Sequence, residues 1–517
     1  MPQLANWYHA VSKDMLHWTH LPVALTPANN TYDCGGIFSG SATLVGHAGP
    51  VLSYSVPCNQ AIAVAVPSAP SAIDPLLTNW TKPAYNPIIR HHQNWNFRDP
   101  TTAWKPDGEP EWRMVVGCSA HMCVLRSKDF VTWRDGGIMY QVAGDHMREC
   151  PDAFEIPLDH SRASAADVTD RREQLQPAPR NGSLWAMKAS SAPFDQYVVG
   201  KYNAGTNDSF VRVAGSLDFG YSSGAIGNGQ LLDSGNMYAG KTFWDVRKGR
   251  RVLWGWVHEE PGAPPAQQWE GIMAIPRTVA LDPRNGSKLV FMPIEEVAAL
   301  RRTDSASASS PGAAPLHLAE AEVCSGCEVK IGQGNQVDVL VTAMLQPDGT
   351  ANFTLAVLVN TNTNLPQERE GVNISITVSA AGSSSIKRKD GHVLVNSSSG
   401  ETYAPGMPSA ANFSVYNDER AVTVRVLVDR SIVETFVHEG RAVVTRRAYI
   451  ANTTTTTTTI GNIASSAASQ NGVVVVNYHA NSLTINSTVY QMASATNSAA
   501  SADVLRAEVL AMMTPTP

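Results

Sequence analysis

Phe97-Arg98-Asp99-Pro100-Thr101-Thr102-Ala103-Trp104 sets an arginine–aspartate pair against a proline, in a region built from short apolar runs. Proline cannot donate to a strand ladder and pre-sets the backbone of a turn, so the Asp-Pro step reads as the end of a short strand. Taken alone, Arg98-Asp99-Pro100 is an ordinary turn whose carboxylate accepts backbone hydrogens. The flanking chain repeats the pattern. Gly40-Ser41-Ala42-Thr43-Leu44-Val45, Trp112-Arg113-Met114-Val115-Val116-Gly117 and Arg251-Val252-Leu253-Trp254-Gly255-Trp256-Val257 are short, rich in β-branched or aromatic residues, and separated by Pro, Gly and Asn clusters. Hardly any stretch before residue 300 has a helical period, and many short strands broken in this way specify an all-β fold, a propeller or a sandwich.

Composition shifts after that region. Residues 303–315 are rich in Ser, Ala, Pro and Gly and read as a linker. Beyond them the strands lengthen and alternate, as in Gln336-Val337-Asp338-Val339-Leu340-Val341 and Ala421-Val422-Thr423-Val424-Arg425-Val426-Leu427-Val428. Period-two alternation is what a two-sheet sandwich requires. Residues 162–180, charged and polar, and the threonine homopolymer 453–459 read as surface loops. Residues 494–517 are Ala/Ser-rich, with a brief helical pattern over 503–512.

The chain has 517 residues, 43% apolar and 16% charged, which favours two globular domains over one. A net charge of −6 without long like-charge blocks offers no polycationic surface, so neither nucleic acid nor an anionic membrane is an expected partner. No apolar run reaches the ~18 residues of a membrane span. The opening Met1-Pro2-Gln3-Leu4-Ala5-Asn6 lacks the basic-then-apolar order of a signal peptide. Yet Asn-x-Ser/Thr sequons occur at Asn29, Asn79, Asn181, Asn207, Asn285, Asn352, Asn373, Asn396, Asn412, Asn452 and Asn486, which favours a secreted or vacuolar glycoprotein whose signal preceded Met1. Of seven cysteines, at least one stays unpaired in any disulfide scheme. Cys324-Ser-Gly-Cys327 has no second pair at metal spacing, so it reads as a small disulfide or two thiols. Neither a metal nor a cofactor is implied.

Fifty positions beyond Asp99 stands a second acidic segment, Glu149-Cys150-Pro151-Asp152. Together the two resemble signature segments of glycoside hydrolase family 32, the invertases, fructan hydrolases and fructosyltransferases. The resemblance implies that Asp99 holds the fructosyl hydroxyls and steadies the transition state, that Glu149 is the general acid/base, and that Arg98 binds a substrate hydroxyl. Cleavage of a fructofuranosidic bond passes through an oxocarbenium-like state, and in a retaining enzyme the two carboxyls lie roughly 5–5.5 Å apart. An acid must hold its proton, so burial and the neighbouring Asp99 are expected to raise the pKa of Glu149. Asp152 is read equally as a site carboxylate or a structural one. Phe38-Ser39-Gly40-Ser41-Ala42-Thr43 resembles a sugar-contacting segment, with Phe38 in place of Trp, and Trp7-Tyr8-His9-Ala10-Val11-Ser12-Lys13-Asp14 resembles a further family stretch, with Tyr8 in place of its small residue and Asp14 like its structural Ser-x-Asp. Tyr238-Ala239-Gly240-Lys241-Thr242-Phe243 also has a counterpart, with Gly240 where many members have Ser. Asp233-Ser234-Gly235-Asn236 resembles the segment that binds the glucose unit of sucrose but lacks its lysine, which leaves fructans open. Val428-Asp429-Arg430-Ser431-Ile432-Val433-Glu434-Thr435-Phe436 resembles the structural signature of the second domain.

The family's nucleophile is an aspartate in an Asn-Asp-Pro-Asn-Gly segment ahead of the Trp7 stretch. This chain opens almost on that stretch, so the nucleophile is expected to be absent and the 517 residues alone to hydrolyse little. The implied architecture is all-β: a five-bladed β-propeller over residues 1–302 with its first blade incomplete, a linker over 303–315, a β-sandwich over 316–495 and a tail over 496–517. The implied function is hydrolysis of terminal β-D-fructofuranosides, sucrose or fructans, by retaining double displacement. The alternatives are a fructosyltransferase or fructan exohydrolase, and an inactive carbohydrate-binding or regulatory homologue. Pro151 after Cys150 tilts the location towards the cell wall rather than the vacuole. The site residues expected to bind substrate are Arg98, Phe38, Ser39, Asp233 and Trp7, around the catalytic Glu149 and Asp99.

Overall fold

A computed structural model of the chain describes residues 4–493 apart from 29–31, 47–48, 91–95, 143–146, 157–182, 193, 223–224, 227–228, 260–268, 303–314, 361–370, 380–387, 398–408, 450–470 and 478–480. The surface loops expected over 162–180 and 453–459, nearly all of the linker and the whole tail lie outside the described residues.

The N-terminal half is a propeller of antiparallel sheets. Trp7–Ser12 and Trp18–Leu25 form the first, of two strands, against four or five in the next four, while Tyr221–Ser222 and Ala225–Ile226 pair as a separate two-stranded sheet. The second runs Phe38–Leu44, Pro50–Val56, Ala61–Pro67 and Trp80–Thr81, with Ile89–Arg90 also paired to the third strand. Phe97–Arg98, Trp112–Cys118, His121–Ser127 and Trp133–Tyr140 make the third. The fourth holds Glu149–Glu155, Trp185–Ser191, Phe194–Asn203 and Ser209–Arg212, joined by Gln230–Leu231. The fifth is Met237–Asp245, Arg250–Val257, Arg277–Asp282 and Asn285–Pro293, with Ile272–Met273 at the second strand. Each quoted apolar run thus became one strand, because its β-branched and aromatic residues suit a pleated surface and its flanking turn residues stop it.

The C-terminal half is a sandwich of two six-stranded sheets. One has the order 316–323, 483–491, 336–344, 421–429, 432–437, 442–447; the other 328–333, 471–477, 351–360, 372–378, 388–397, 410–416. Val337, Val339, Val341, Phe353, Leu355, Val424, Val426 and Val475 fill the space between them. Ile432–Val437 is buried on both faces. Val433 and Val437 face the sandwich core, whereas Ile432 and Phe436, with Leu427 and Val443, join a cluster that includes propeller residues Val252, Val279 and Phe291. The same strand therefore serves two cores, and burying each such apolar side chain is worth roughly 1.5–3 kcal/mol. Cysteines pair as Cys34–Cys58, Cys118–Cys123 and Cys324–Cys327, leaving Cys150 free and buried.

Candidate active site

The first strands of the second to fifth sheets bring the expected residues together. Asp99 follows Phe97–Arg98 at the end of its strand, with φ +64°, and Cys150 takes φ +42° beside Glu149. Left-handed backbone at non-glycine residues costs energy and persists where surrounding bonds enforce it. Those bonds are present. The Cys150 N–H donates to Asp99 Oδ2 at 2.7 Å, and the Asp99 N–H donates to Ser55 Oγ at 2.6 Å. The pairing of Glu149–Glu155 with its neighbour shifts register between Glu149 and Asp152, a bulge that re-aims the glutamate. Gly117 makes the close approach possible: a Cβ there would stand 2.0 Å from the carbonyl oxygen of Arg148, just before Glu149.

Arg98 links the two carboxylates. Its Nη2 donates to Glu149 Oε1 at 2.5 Å, and its Nε lies 3.8 Å from Asp99 Oδ2. Glu149 Oε2 accepts from the Tyr238 hydroxyl, also at 2.5 Å. Asp99 is buried at 3% exposure, while the side chains of Glu149 and Arg98 remain 32% and 21% exposed. Accessible groups on a buried base can meet a ligand without first breaking the fold.

The electrostatics reverse one expectation. Burial does push the Glu149 carboxyl up, but the hydrogen bonds from Tyr238 and Arg98 outweigh it, so its pKa is lowered, not raised. Asp99 carries the raised pKa: burial outweighs the Cys150 N–H and the nearby Lys241 and Arg98, and the charge of Glu149 adds to it.

Beneath the pair lie two lysines. Lys188, fully buried, donates to the carbonyls of Cys150 and Gly240 and to Ser190 Oγ, and pairs with Asp195 Oδ2 at 3.0 Å. Asp195 in turn accepts from the N–H groups of Ala239 and Gly240. A Cβ at Gly240 would come within 2.9 Å of that Asp195 oxygen, so glycine here permits the close approach. The effect is to clamp the strand carrying Tyr238 against the strand carrying Glu149. Sequence reasoning missed Tyr238, Ser55, Lys188 and Lys241 as site residues, although Tyr238 and Lys241 stood in a segment already singled out.

The second sheet contributes more loosely. Ser55 Oγ donates to the Ser39 carbonyl at 2.7 Å and accepts from Asp99, so Ser39 joins the corner through its backbone. Trp7 Nε1 donates to the Phe38 carbonyl at 3.1 Å, and Phe38 is 40% exposed. Asp152 is structural, its Oδ2 accepting from both the N–H and hydroxyl of Thr242. Asp14 closes a turn with Ser12, Leu16 and His17.

Asp233 does not belong to the site. It is 2% exposed at the junction of propeller and sandwich, where Oδ1 accepts from the N–H groups of Gly235 and Thr445, and Oδ2 from Arg277 Nη1 and Thr445 Oγ1. Four donors fill its acceptor capacity and none is left for a sugar. Gly235 and Asn236 sit in the same seam, the Asn236 N–H donating to the Thr445 carbonyl. Glu434 shares it, accepting from Arg277 Nη2 and the Ile275 N–H, in keeping with the structural reading of its segment. Among the described residues no group of three or more His, Cys, Asp or Glu could hold a metal ion.

Known proteins resemble this chain along most of its length. The chain is 32% identical to beta-fructofuranosidase 1 of Zea mays over 86% of its own length and 68% of that protein's, and 30% identical to acid beta-fructofuranosidase of Vigna radiata var. radiata over the same shares. In fold it resembles fructan 1-exohydrolase IIa from Cichorium intybus, with a TM-score of 0.76 at 23% identity, covering 95% of this chain and 89% of that one. Exo-inulinase from Aspergillus awamori gives 0.66 at 18%, covering 95% and 90%. The models for the N-terminal domain and the C-terminal region of glycosyl hydrolases family 32 match residues 3–293 and 296–485, and on that evidence this chain belongs to family 32.

Proposed function

We propose that this chain hydrolyses the bond of a terminal β-D-fructofuranoside, sucrose or a fructan, with Glu149 as general acid/base and Asp99 as the carboxylate that holds the fructosyl hydroxyls. The observation that carries the proposal is the Asp99–Arg98–Glu149 triad, two carboxylates held by one guanidinium with Glu149 and Arg98 open to solvent. As the bond breaks, the departing oxygen takes a proton from Glu149, while ionised Asp99 opposes the positive charge growing on the ring. The lowered pKa of Glu149 is compatible with this role. Arg98 has further N–H donors, and a sugar hydroxyl that draws the guanidinium away returns proton affinity to Glu149. A retaining route also needs a carboxylate on the opposite face. Asp14, Asp152, Asp195 and Asp233 are committed to the structural bonds described above, and no nucleophile is assigned. Because Asp233 lies in the interdomain seam, it supports neither sucrose nor fructan.

Three disulfides and exposed sequon asparagines such as Asn79, Asn207, Asn373 and Asn412 support a cell-wall, secreted or vacuolar location. The test is calorimetric binding of sucrose and of short inulins to the purified chain, alongside fructose release from both. Binding that is lost in Asp99→Asn and Arg98→Ala is the expected result. A chain that neither binds these sugars nor releases fructose overturns the proposal, and binding without release traces the deficit to the opposite-face carboxylate, for which no residue is assigned.

A further inference from the structure

We infer that Lys241 is a positioning residue that sets the separation and charge of Asp99 and Glu149 by bridging the carbonyls of Pro100 and Pro151. The inference rests on the reading of those two carboxylates as the reacting pair. Lys241 Nζ donates to the Pro151 carbonyl at 2.8 Å and to the Pro100 carbonyl at 3.3 Å. Pro100 follows Asp99 directly and Pro151 lies two residues after Glu149, so one ammonium ties both segments from below.

A regular strand could not do this. Side chains three apart on a strand point to opposite faces, yet Tyr238 and Lys241 both reach the same corner. The pairing of their strand shifts register between Tyr238 and Lys241, with Ala239 at φ +55°, and that bulge turns both inward. The Glu149 strand has its own bulge between Glu149 and Asp152, where ladder pairing is interrupted around Cys150 and Pro151. An ammonium, with three donors on a flexible stem, suits two carbonyls that belong to different sheets.

The charge matters as well as the bonds. Burial lowers the pKa of Lys241, a pull opposed by Asp152, Cys150 and Asp99, which face it, and reinforced by the second lysine, Lys188. Asp99 is faced by Arg98 from its own segment, by Glu149 and the Cys150 N–H from the fourth sheet, by Ser55 from the second and by Lys241 from the fifth. Only Arg98 and Lys241 among these are cations that favour its ionised form.

The experiment measures binding, so it needs no turnover. In a Glu149→Gln background, which suppresses hydrolysis, the affinity for sucrose or a short inulin is followed by calorimetry from acid to neutral pH, with and without Lys241→Met. Loss of the ammonium is expected to move the acid limb of binding, where Asp99 takes up its proton, upward by about one unit, a roughly tenfold loss of affinity at acid pH. Lys241→Arg should restore most of the limb. Should Lys241→Met fail to fold, Lys241→Gln carries the same test, because it removes the charge while keeping N–H donors on a shorter stem. An unmoved limb in a folded, sugar-binding Lys241→Met or Lys241→Gln protein overturns the inference and leaves the functional reading intact. A background protein that binds neither sugar overturns the functional reading instead.

Discussion

Two clusters in this molecule use the same materials to opposite ends. At the seam between propeller and sandwich, Arg277 holds Asp233 and Glu434 at 2.8 and 2.7 Å, and all three are almost wholly buried. At the catalytic corner, Arg98 holds Glu149 at 2.5 Å and stands 3.8 Å from Asp99. In the seam each Asp233 oxygen accepts from two protein donors, two of the four coming from Thr445 of the other domain, while Glu434, with one donor on each oxygen, is almost wholly enclosed. In the corner the Glu149 oxygens each have one described donor and the side chain stays about a third exposed. A saturated pair fixes a geometry, whereas an unsaturated and accessible one can exchange a protein partner for a substrate. Residue type does not distinguish them; the access of solvent does, Glu434 being 4% exposed against 32% for the Glu149 side chain.

The largest expected effect separates the clusters by activity. Glu149→Gln should lower turnover by about 10²–10⁴-fold for substrates with basic leaving groups and less for activated ones. Equal losses for both leaving-group classes would remove Glu149 from the acid/base role. The reciprocal substitution acts on stability. Arg277→Met leaves Asp233 and Glu434 buried without their cation, at a cost of about 3–5 kcal/mol, read from the denaturation midpoint. If that variant is as stable as the parent, the seam is not the saturated structural cluster described here.

How much of this the sequence reveals depends on how local the cause is. Strand runs such as Trp112–Cys118 and Ala421–Asp429 are legible because alternation and flanking turns act over a few residues. Arg98, Asp99 and Glu149 are legible because each sits in a contiguous segment. Asp233 is misread from its neighbours, since its partners Arg277 and Thr445 lie 44 and 212 residues away. The pKa direction of Glu149 is misjudged for the same reason: the decisive donor, Tyr238, is 89 residues downstream and reaches it through a bulge that no local pattern announces.

Tyr238 offers a milder way to sharpen the comparison, by making the corner less saturated still. With Tyr238→Phe, the effect of burial on Glu149 is opposed by Arg98 with one donor fewer, so the pH-profile limb that reports Glu149 should move to higher pH, with about a tenfold change in kcat/KM. The sign for stability follows from the lowered pKa. Such a carboxylate stabilises the fold above its unfolded pKa, and that contribution fades as pH falls through the folded value. Tyr238→Phe should therefore be destabilising near neutrality and progressively less so in acid. An unmoved limb would mean that Tyr238 is not a controlling donor.

The smallest effect is a test of rigidity rather than chemistry. Cys150 lies between the two carboxylates, and burial, reinforced by the charge of Asp99, pushes its thiol up to about 12. A buried thiol that remains protonated is a poor nucleophile, so alkylating reagents should leave the native protein unlabelled at neutral pH. Labelling should then appear only through opening of the fold, and its rate measures how often the corner opens. The Asn236 N–H, bonded to Thr445 across the seam, gives the matching measure there by hydrogen exchange. If the unsaturated corner is the less stable of the two, Cys150 labelling will report an opening free energy below that from Asn236 exchange, while thiol reagents leave initial activity unchanged. Equal opening energies would show that propeller and sandwich open as one cooperative unit, and that the corner's accessible carboxylate is held as firmly as the saturated pair.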